Sequence, residues 1–442
     1  MALTISQPTQ THPDFEHWNP EDAQTWDSSL AWRTLWITTL NLLLAFATWF
    51  MVSAVVVKLS GIGFTFSTSQ LFWLTAMPGL AAGTMRLGHM FLIPLFGTRR
   101  VLSIATLSLL IPATGWYFAV QNPATPYWMF LLLAFLAGLG GGNFSSFMPS
   151  TSLFFPKRMQ GTALGLQAGI GNFGVSLVQF VTPWIIGLAL LGTQQTFVKG
   201  EISRPMYLQN AALWLIPLVV IGAALAWLLL KNVPVHAKLS EQLDIFRDKH
   251  TWAMTSLYMM TFGSFSGLAA AFPLLIGALF GKLEGAPDPL MYAFLGPLVG
   301  SLVRVIFGRI ADRTGGAVLT QISGIGLTVS AIAVTFFTAP SSMAEFPYFL
   351  VAMLAMFFFA GIGNASTFKQ MPMIFPPRQA SGVIGFTAAI AAYGPFLVSI
   401  LLATALGNSA PNVFFIGAAA FYVLNTGLNW WLYARKDAEK PC

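Results

Sequence analysis

Long apolar runs dominate this chain and restrict it to one class of fold. Its 442 residues are 56% hydrophobic and 8% charged, with a mean hydropathy of +0.70. Soluble domains carry about 25% charged residues, whereas a helix needs about 20 apolar residues to cross a bilayer. Runs of that length occur at approximately 35–57, 69–96, 101–120, 128–154, 161–190, 208–230, 251–281, 289–310, 316–338, 346–374, 380–404 and 411–434. The sequence therefore predicts an all-α membrane protein with twelve transmembrane helices.

The longest polar connection inside the chain, 231–250, divides these runs into six and six. We therefore expect a polar N-terminal cytoplasmic segment at 1–34 and a first six-helix half at 35–230. A cytoplasmic linker at 231–250, a second six-helix half at 251–434 and a cytoplasmic tail at 435–442 follow. The N-terminal segment is acidic and lacks the positively charged start of a signal peptide.

The distribution of cations predicts the orientation. With the N-terminus inside, the inner loops carry 15 of the 22 Lys and Arg residues, the outer loops four, and the spans three. Such a bias favours cytoplasmic termini in an inner membrane. The net charge of +7 is spread over these short clusters, so it does not indicate nucleic-acid binding. The only cysteine is Cys442, which excludes a disulfide framework and a Cys-based metal site, and no cofactor is expected.

Two arginines within apolar runs point to a ligand. The stretch from Ser28 to Gly200 contains no Asp and no Glu, yet Arg86 lies inside it, and Arg304 lies within another run 218 residues later. A cation in hydrocarbon costs about 2.5–3.5 kcal/mol even on the mild insertion scale. Because no acid in a span is placed to neutralise them, we expect an anionic ligand. The alternative is that local backbone carbonyls satisfy each arginine separately.

The two arginines also belong to a repeat. Each is followed eleven residues later by a glycine, Gly97 or Gly315. A second repeated spacing joins a proline to a glycine nine residues on, at Pro156 and Gly165 and again at Pro376 and Gly385. Parallel repeats of six helices place equivalent helices around an axis along the membrane normal. Arg86 and Arg304 should therefore face each other across that axis.

The turn from Gly308 to Gly316 resembles the G-x-x-x-D-R-x-G signature of major facilitator superfamily transporters. Its Asp312 and Arg313 would act in conformational change and not in substrate binding. Asp312 could cap the next helix or pair with a basic neighbour. The plain alternative is an ordinary charged turn.

Glycine-rich stretches predict close helix contacts. The segment 161–174 contains Gly165, Gly169 and Gly171, and Gly385 occupies a similar place in the second half. Small residues four apart let helices approach closely, so these glycines should lie at contacts between and within the halves. Simple packing is the alternative reading for any such run.

Residues 141–146, 155–157 and 161–174 resemble the first nitrate signature of the nitrate/nitrite porter family, a branch of the major facilitator superfamily. Residues 360–367 resemble its second signature, and the segments leading to Arg86 and Arg304 are similar as well. The likeness extends over nearly the whole chain. It implies the major facilitator fold, in which two six-helix halves rock around a central site.

The resemblance also implies a binding site for a planar anion, nitrate or nitrite. Arg86 and Arg304 would be its ligands, since a guanidinium donates two parallel hydrogen bonds to an oxyanion and lysine does not. By the same resemblance the flat faces of the anion would contact aromatic rings and its edges would meet polar groups. The implied residues are Phe144 and Phe262 for the faces and Asn172 and Tyr258 for the edges.

Two further basic residues are candidates for proton coupling. His89 lies three residues after Arg86, hence on the same helical face, and His titrates near physiological pH. Most lone histidines in membrane helices only fill hydrogen-bonded packing positions. Lys369 lies two residues beyond the second signature; it could face the transport path or extend toward the inner surface.

Together these features predict a secondary transporter of nitrate, and also of nitrite, that works by alternating access. Nitrate/H+ symport, with His89 or a chain of waters carrying the proton, is the preferred coupling. Nitrate/nitrite antiport, which fits the missing carboxylates, is the alternative. An anion channel or a nitrate sensor on the same fold is a further alternative. The sequence lacks a phosphate loop and a buried acid–base pair, so we expect no enzyme. The expected partners are nitrate, nitrite, H+ and the lipid bilayer, with a monomer as the working unit.

Overall fold

The computed structural model describes residues 18–233 and 243–442, and it describes only the backbone of Asp312, Pro377, Arg378 and Ser381. Eleven helices in these ranges are long and apolar enough to cross a membrane. A twelfth, Thr68–His89, is more polar because its last turn carries two basic residues. In chain order the spans are α1 (Ser28–Ile62), α2 (Thr68–His89), α3 (Thr98–Ala119), α4 (Tyr127–Ser152), α5 (Lys157–Ile185), α6 (Asn210–Leu229), α7 (Lys249–Phe280), α8 (Leu290–Ala311), α9 (Gly316–Thr335), α10 (Met343–Ile374), α11 (Gly382–Gly407) and α12 (Pro411–Ala434).

This arrangement confirms the predicted membrane fold of twelve helices. We call α1–α6 the first half and α7–α12 the second half. The predicted linker lies partly in residues 234–242 and the polar N-terminal segment partly in residues 1–17, both outside the described residues. The proposed domain boundaries therefore stay predictions. Between the halves, α2 packs against α11, α5 against α8, and α1 against α7.

The predicted second span, 69–96, was too long. Helix α2 ends at His89, and a new helix, Leu92–Leu107, then begins and bends sharply at Gly97. The chain turns between them because the Met90 N–H bonds back to Arg86 and the Phe91 N–H to Gly88. An unbroken apolar run therefore contains a turn that the run itself does not reveal.

The repeated glycines and prolines adopt matching backbone conformations. Gly97 has φ 77° and ψ 163°, and Gly315 has φ 83° and ψ 159°. This region is open to glycine and strained for other residues. Pro156 and Pro376 likewise share extended geometry, with ψ 150° and 153°, immediately before the helices that begin at Lys157 and Pro377. The two halves thus use the same residue types to make the same turns.

A β-hairpin interrupts the otherwise helical chain between α5 and α6. Strands β1 (Gln195–Lys199) and β2 (Ile202–Met206) pair antiparallel. The hairpin packs on the end of α1, and we call this side of the bundle the hairpin face. The opposite side, where α1 begins and α12 ends, is the terminal face.

Candidate anion-binding site

Arg86 is fully buried, with 0% of its surface exposed. Its Nε donates to the carbonyl of Gly141 in α4 at 2.8 Å, and its Nη1 donates to the carbonyl of Ala388 in α11 at 2.7 Å. Its Nη2 has no hydrogen-bond partner among the described residues. A side chain at position 141 would overlap Ala82 and Trp49. Glycine therefore lets α4 pack closely enough for its carbonyl to reach Arg86. Local carbonyls therefore satisfy part of the guanidinium and leave one donating nitrogen free.

Arg304, in α8, is 5% exposed, and its buried Nη1 also lacks a hydrogen-bond partner. It lies near enough to Arg86 for the two guanidiniums to interact electrostatically. Among the side chains that the structure describes, no carboxylate forms an ion pair with either arginine. The predicted pair of arginines is thus brought together from the two halves with donors to spare and no acid to neutralise it.

Aromatic rings connect the two guanidiniums. The Cζ of Arg86 lies 4.6 Å from the ring centroid of Phe144 and 5.4 Å from that of Phe262, and the Cζ of Arg304 lies 5.1 Å from that of Phe368. The Phe368 ring lies 6.3 Å from Phe144 and 5.0 Å from Tyr258. Such cation–π contacts are worth up to about 2 kcal/mol when desolvated. The rings and guanidiniums form a continuous set, which we call the aromatic cluster.

A π-helical turn in α7 aligns two members of this cluster. The turn spans Met259–Gly263, where the Ser264 N–H bonds to the Met259 carbonyl five residues back. Tyr258 and Phe262, at its edges, stack at 5.3 Å with an interplanar angle of 8°. The Tyr258 hydroxyl is buried next to Arg304 and has no hydrogen-bond partner of good geometry. π-turns are frequent at functional sites, and this one presents a parallel pair of rings beside the arginines.

Two buried asparagines have amides without any partner. Asn172 in α5 is 1% exposed and Asn364 in α10 is 0% exposed, and in each the oxygen and the nitrogen both lack hydrogen bonds. Asn172 lies one turn from Gly169, which packs directly against Val305, the neighbour of Arg304. Asn364 lies one turn before Phe368. Because an unsatisfied buried polar group costs about 1–3 kcal/mol, four such atoms near one cluster indicate a polar ligand.

The site is closed in this state. Each of the six side chains implied by the family resemblance is at most 5% exposed. A small cavity borders Trp49, whose ring also lies 5.7 Å from the Cζ of Arg86. The cavity is lined by Ser53 and Thr75 on the hairpin side of the arginine. The structure thus shows a closed arrangement in which at most a small part of each of the six side chains is accessible to water.

The candidates for proton coupling lie beside the cluster. His89 is partly buried, and its Nδ1 lies 3.0 Å from the Ser146 hydroxyl. It is close enough to Arg86 to interact with it electrostatically. Lys369 is partly buried in α10, one residue after Phe368. Neither position by itself establishes a proton path.

The predicted conformational residues are spread over several contacts. Gly169 packs against Val305 across the halves, Gly171 against Leu42 within the first half, and Gly385 against Met90 across the halves. At Gly165 an added side chain would meet open space. Arg313 is exposed in the last helical turn before Gly315. The side chain of Asp312 lies outside the described part of the structure, so its capping role stays a prediction.

The sequence interpretation missed Trp49, Phe368 and Asn364 as members of the site. Asn364 belongs to the second signature and Phe368 follows it directly, so that motif held a usable signal. Trp49 is one of 14 tryptophans, and no pattern in the sequence distinguished it from the others.

Comparison with known proteins bears on the family and the fold. The sequence profile of the Major Facilitator Superfamily matches residues 37–345. The chain is 66% identical to the probable nitrate/nitrite antiporter NarK2 of Thermus thermophilus, over 96% of this chain and 97% of that protein. It is 35% identical to the nitrate/nitrite transporter NarU of Escherichia coli (strain K12), over 95% of this chain and 96% of that protein.

A solved structure shares the fold at low sequence identity. It is the crystal structure of a bacterial homolog to the human lysosomal transporter Spinster, in an inward-facing and occupied conformation. The TM-score is 0.63 at 12% identity, over 91% of this chain and 97% of the other. This likeness extends to the helical architecture and not to the site residues.

Proposed function

This chain belongs to the nitrate/nitrite porter family of the major facilitator superfamily, and we propose that it carries nitrate and nitrite across the membrane by alternating access. The observation that carries the proposal is the unneutralised pair of buried guanidiniums, each with a free nitrogen. A planar oxyanion bound between Arg86 and Arg304 would accept hydrogen bonds from both. The aromatic cluster would enclose its faces, and Tyr258 and Asn172 would donate to its remaining oxygens.

The same charges favour exchange as the coupling mode. Without an anion, two nearby guanidiniums repel each other in a site that excludes water, where such repulsion is poorly screened. For the empty carrier, the change between the state open to one side of the membrane and the state open to the other is therefore costly. With a bound anion the same change is not. A carrier that returns only when loaded exchanges one anion for another, as the name of its relative in Thermus thermophilus states for that protein. We infer nitrate/nitrite antiport in which a monomer is the working unit.

Nitrate/H+ symport is the second candidate, and His89 is the observation that favours it. This imidazole lies beside Arg86 and contacts a hydroxyl at 3.0 Å. A proton on His89 would, however, add a third positive charge to a region without a described acid. For that reason we rank symport second and treat the proton-coupling roles of His89 and Lys369 as open to direct test.

One reconstitution experiment tests the transport proposal and the coupling mode. Purified protein in liposomes is loaded with nitrite, and uptake of labelled nitrate is followed together with an internal pH dye. Exchange predicts that internal nitrite accelerates uptake and that the internal pH stays constant. Symport predicts acidification that does not need internal nitrite. Uptake with neither acceleration by internal nitrite nor acidification of the interior would indicate a channel and contradict both mechanisms.

We further propose that the protein resides in the cytoplasmic membrane with both termini in the cytoplasm. The bias of cations supports this orientation, and the hairpin face would then be external. Labelling of a single cysteine at exposed Thr65 by an impermeant reagent in intact cells tests it.

A further inference from the structure

An ion pair joins the two halves on the hairpin face. The Nζ of Lys58, near the end of α1, lies 2.6 Å from Oδ2 of Asp288, just before α8. Lys58 is 4% exposed, and the side chain of Asp288 is 28% exposed. The other oxygen of Asp288 accepts the Leu290 N–H at 3.2 Å, which fixes the carboxylate. The pair is therefore well oriented and largely removed from water.

The β-hairpin supplies the cover for this pair. Phe197 and Arg204 are directly opposite each other in the strand register, so they share one face of the hairpin. The Phe197 ring centroid lies 5.3 Å from the Nζ of Lys58 and 5.5 Å from the Cζ of Arg204. Arg204 also places its Nη2 3.8 Å from the same Asp288 oxygen. Two cations of the first half thus converge on one acid of the second half under a single ring.

The hairpin fits tightly against α1 at this point. Gly61 lies so close to Phe197 that a side chain at position 61 would overlap the ring. The contact holds Phe197 over Lys58 and shields that side of the pair from water. Screening by solvent leaves exposed ion pairs with little net stabilisation, whereas breaking a buried pair is strongly destabilising. Lys58 and Asp288 lie between these limits.

Deeper in the bundle the halves are joined on the same side by weaker contacts. Thr75 donates to Ser399 at 3.0 Å, and the hydroxyls of Thr84 and Tyr393 lie 3.0 Å apart. Thr75 also lines the small cavity that lies between the hairpin face and Arg86. Opening of the site toward that face has to separate the ends of α1 and α8, and therefore Lys58 from Asp288.

We propose that the Lys58–Asp288 pair, with Arg204 and its Phe197 cover, is a latch that stabilises the state closed on the hairpin face. The proposal rests on alternating access as the proposed function. The latch sets the ratio of the state closed on the hairpin face to the state open on it, because the pair exists only when the hairpin face is closed. The hairpin has a role that its short strands alone do not suggest, since it desolvates the ion pair and adds a second cation.

The test measures the opening of the hairpin face directly. Spin labels are attached to the full chain in liposomes at Thr65→Cys and Asn408→Cys, exposed positions in the first and second halves, in a Cys442→Ser background. Asp288→Asn removes the charge while its remaining oxygen can still accept the Leu290 N–H. We expect the population with the longer distance between labels to increase about fivefold to tenfold relative to the closed population. Lys58→Met, which keeps an apolar stem under Phe197, should produce the same shift.

The matched control is Glu284→Gln, which neutralises an exposed acid in the same connection that forms no ion pair with any described residue. Its distances should equal those of the unmodified chain. Unchanged distances in both Asp288→Asn and Lys58→Met would overturn the latch, as would an equal shift in the control. Counterflow by the unmodified protein separates the two proposals. Its absence would refute transport, while the spin-label distances would still report on the ion pair.

Discussion

The guanidinium of Arg86 donates a hydrogen bond of 2.7 Å to the main-chain carbonyl of Ala388, 302 residues away in the other half. The side chain that is placed to bind an anion is therefore also held by both halves, since its Nε bonds to Gly141 in α4. Only one nitrogen stays free for a ligand. Binding of an anion at that nitrogen would depend on how the two halves are arranged, which is the requirement for coupling binding to a conformational change.

Arg86→Lys should abolish exchange. Lysine keeps the charge but loses the planar fork that bonds Gly141, Ala388 and the anion at once. Loss of one partner of a buried charged pair costs about 2–5 kcal/mol, so apparent nitrate affinity should fall by at least about 30-fold. Uptake of labelled nitrate into nitrite-loaded liposomes measures it. Arg33→Lys, at an exposed position at the terminal face, is the control and should transport normally. Normal transport by Arg86→Lys would disprove the clamp.

Phe368→Ala should weaken nitrate binding, because the ring contacts Arg304 and joins Phe144 to Tyr258. A cation–π contact of about 0.5–2 kcal/mol corresponds to a loss of about twofold to 30-fold. The concentration of nitrate for half-maximal exchange provides the measurement. Phe358→Ala removes a ring from the same helix that packs against Phe307 and Phe359 instead, and it should leave this concentration unchanged. Equal effects of the two substitutions would point to a general packing defect.

Replacement of Asn364 by leucine separates ligand binding from structure. The amide forms no hydrogen bond with any described residue, so without a role in ligand binding its replacement should leave thermal stability unchanged or raise it and leave exchange normal. Contact with the anion predicts equal stability but affinity lower by about 10-fold to 150-fold, from the loss of a hydrogen bond to a charged group worth about 1.5–3 kcal/mol. We expect the second result, and the same for Asn172→Leu. The unfolding midpoint and the counterflow rate should be measured on one preparation.

His89→Gln should leave nitrate/nitrite exchange largely intact. Glutamine can still hydrogen-bond to Ser146 but cannot carry a proton. The exchange proposal predicts rates within about twofold of the unmodified protein from pH 6 to 8, because no proton moves in the cycle. A symporter would lose acidification of the liposome interior together with net uptake. The pH dye and labelled nitrate distinguish these outcomes in a single assay.

The tail offers a test of charge and stability away from the site. The Oε2 of Glu439 accepts a hydrogen bond from Lys249 at 2.7 Å, and this contact holds the pKa of Glu439 below its ordinary value. A lowered pKa means that the carboxylate stabilises the folded state above the pKa of a free glutamate, about 4.3. The stabilisation is lost as the pH falls through the lower folded value. Glu439→Gln should therefore lower the melting temperature slightly at pH 7.

The same difference in melting temperature should shrink at a pH below about 4.3, the pKa of a free glutamate, because protonation of Glu439 removes its charge. Thermal scanning of detergent-purified protein at the two pH values gives the comparison. Glu284→Gln serves again as the control, since that exposed acid has no ion-pair partner among the described residues. A difference that persists unchanged in acid would show that the ion pair with Lys249 is not its cause.

The sequence alone determined the membrane class and the twelve spans, and it singled out Arg86 and Arg304 as candidate anion ligands. Hydrophobic runs of membrane length have few alternative folds, because every backbone polar group in lipid must be satisfied within a helix or a closed barrel. A cation without an acid in such a run is costly enough to require an explanation. The repeated spacing from the arginines to Gly97 and Gly315 also indicated matching turns in the two halves. Their φ values of 77° and 83° favour glycine.

Only the tertiary structure decided which groups meet. Several contacts join groups that lie hundreds of residues apart or on different helices, and a one-dimensional pattern does not record them. Examples are the contacts of the Ala388 carbonyl, of the Phe368 ring and of the Lys58–Asp288 pair. The turn that ends α2 at His89 and the hairpin over Lys58 were also missed. Apolar residues identify the segments that cross the membrane. Packing between the helices determines which nitrogens, oxygens and rings face one another.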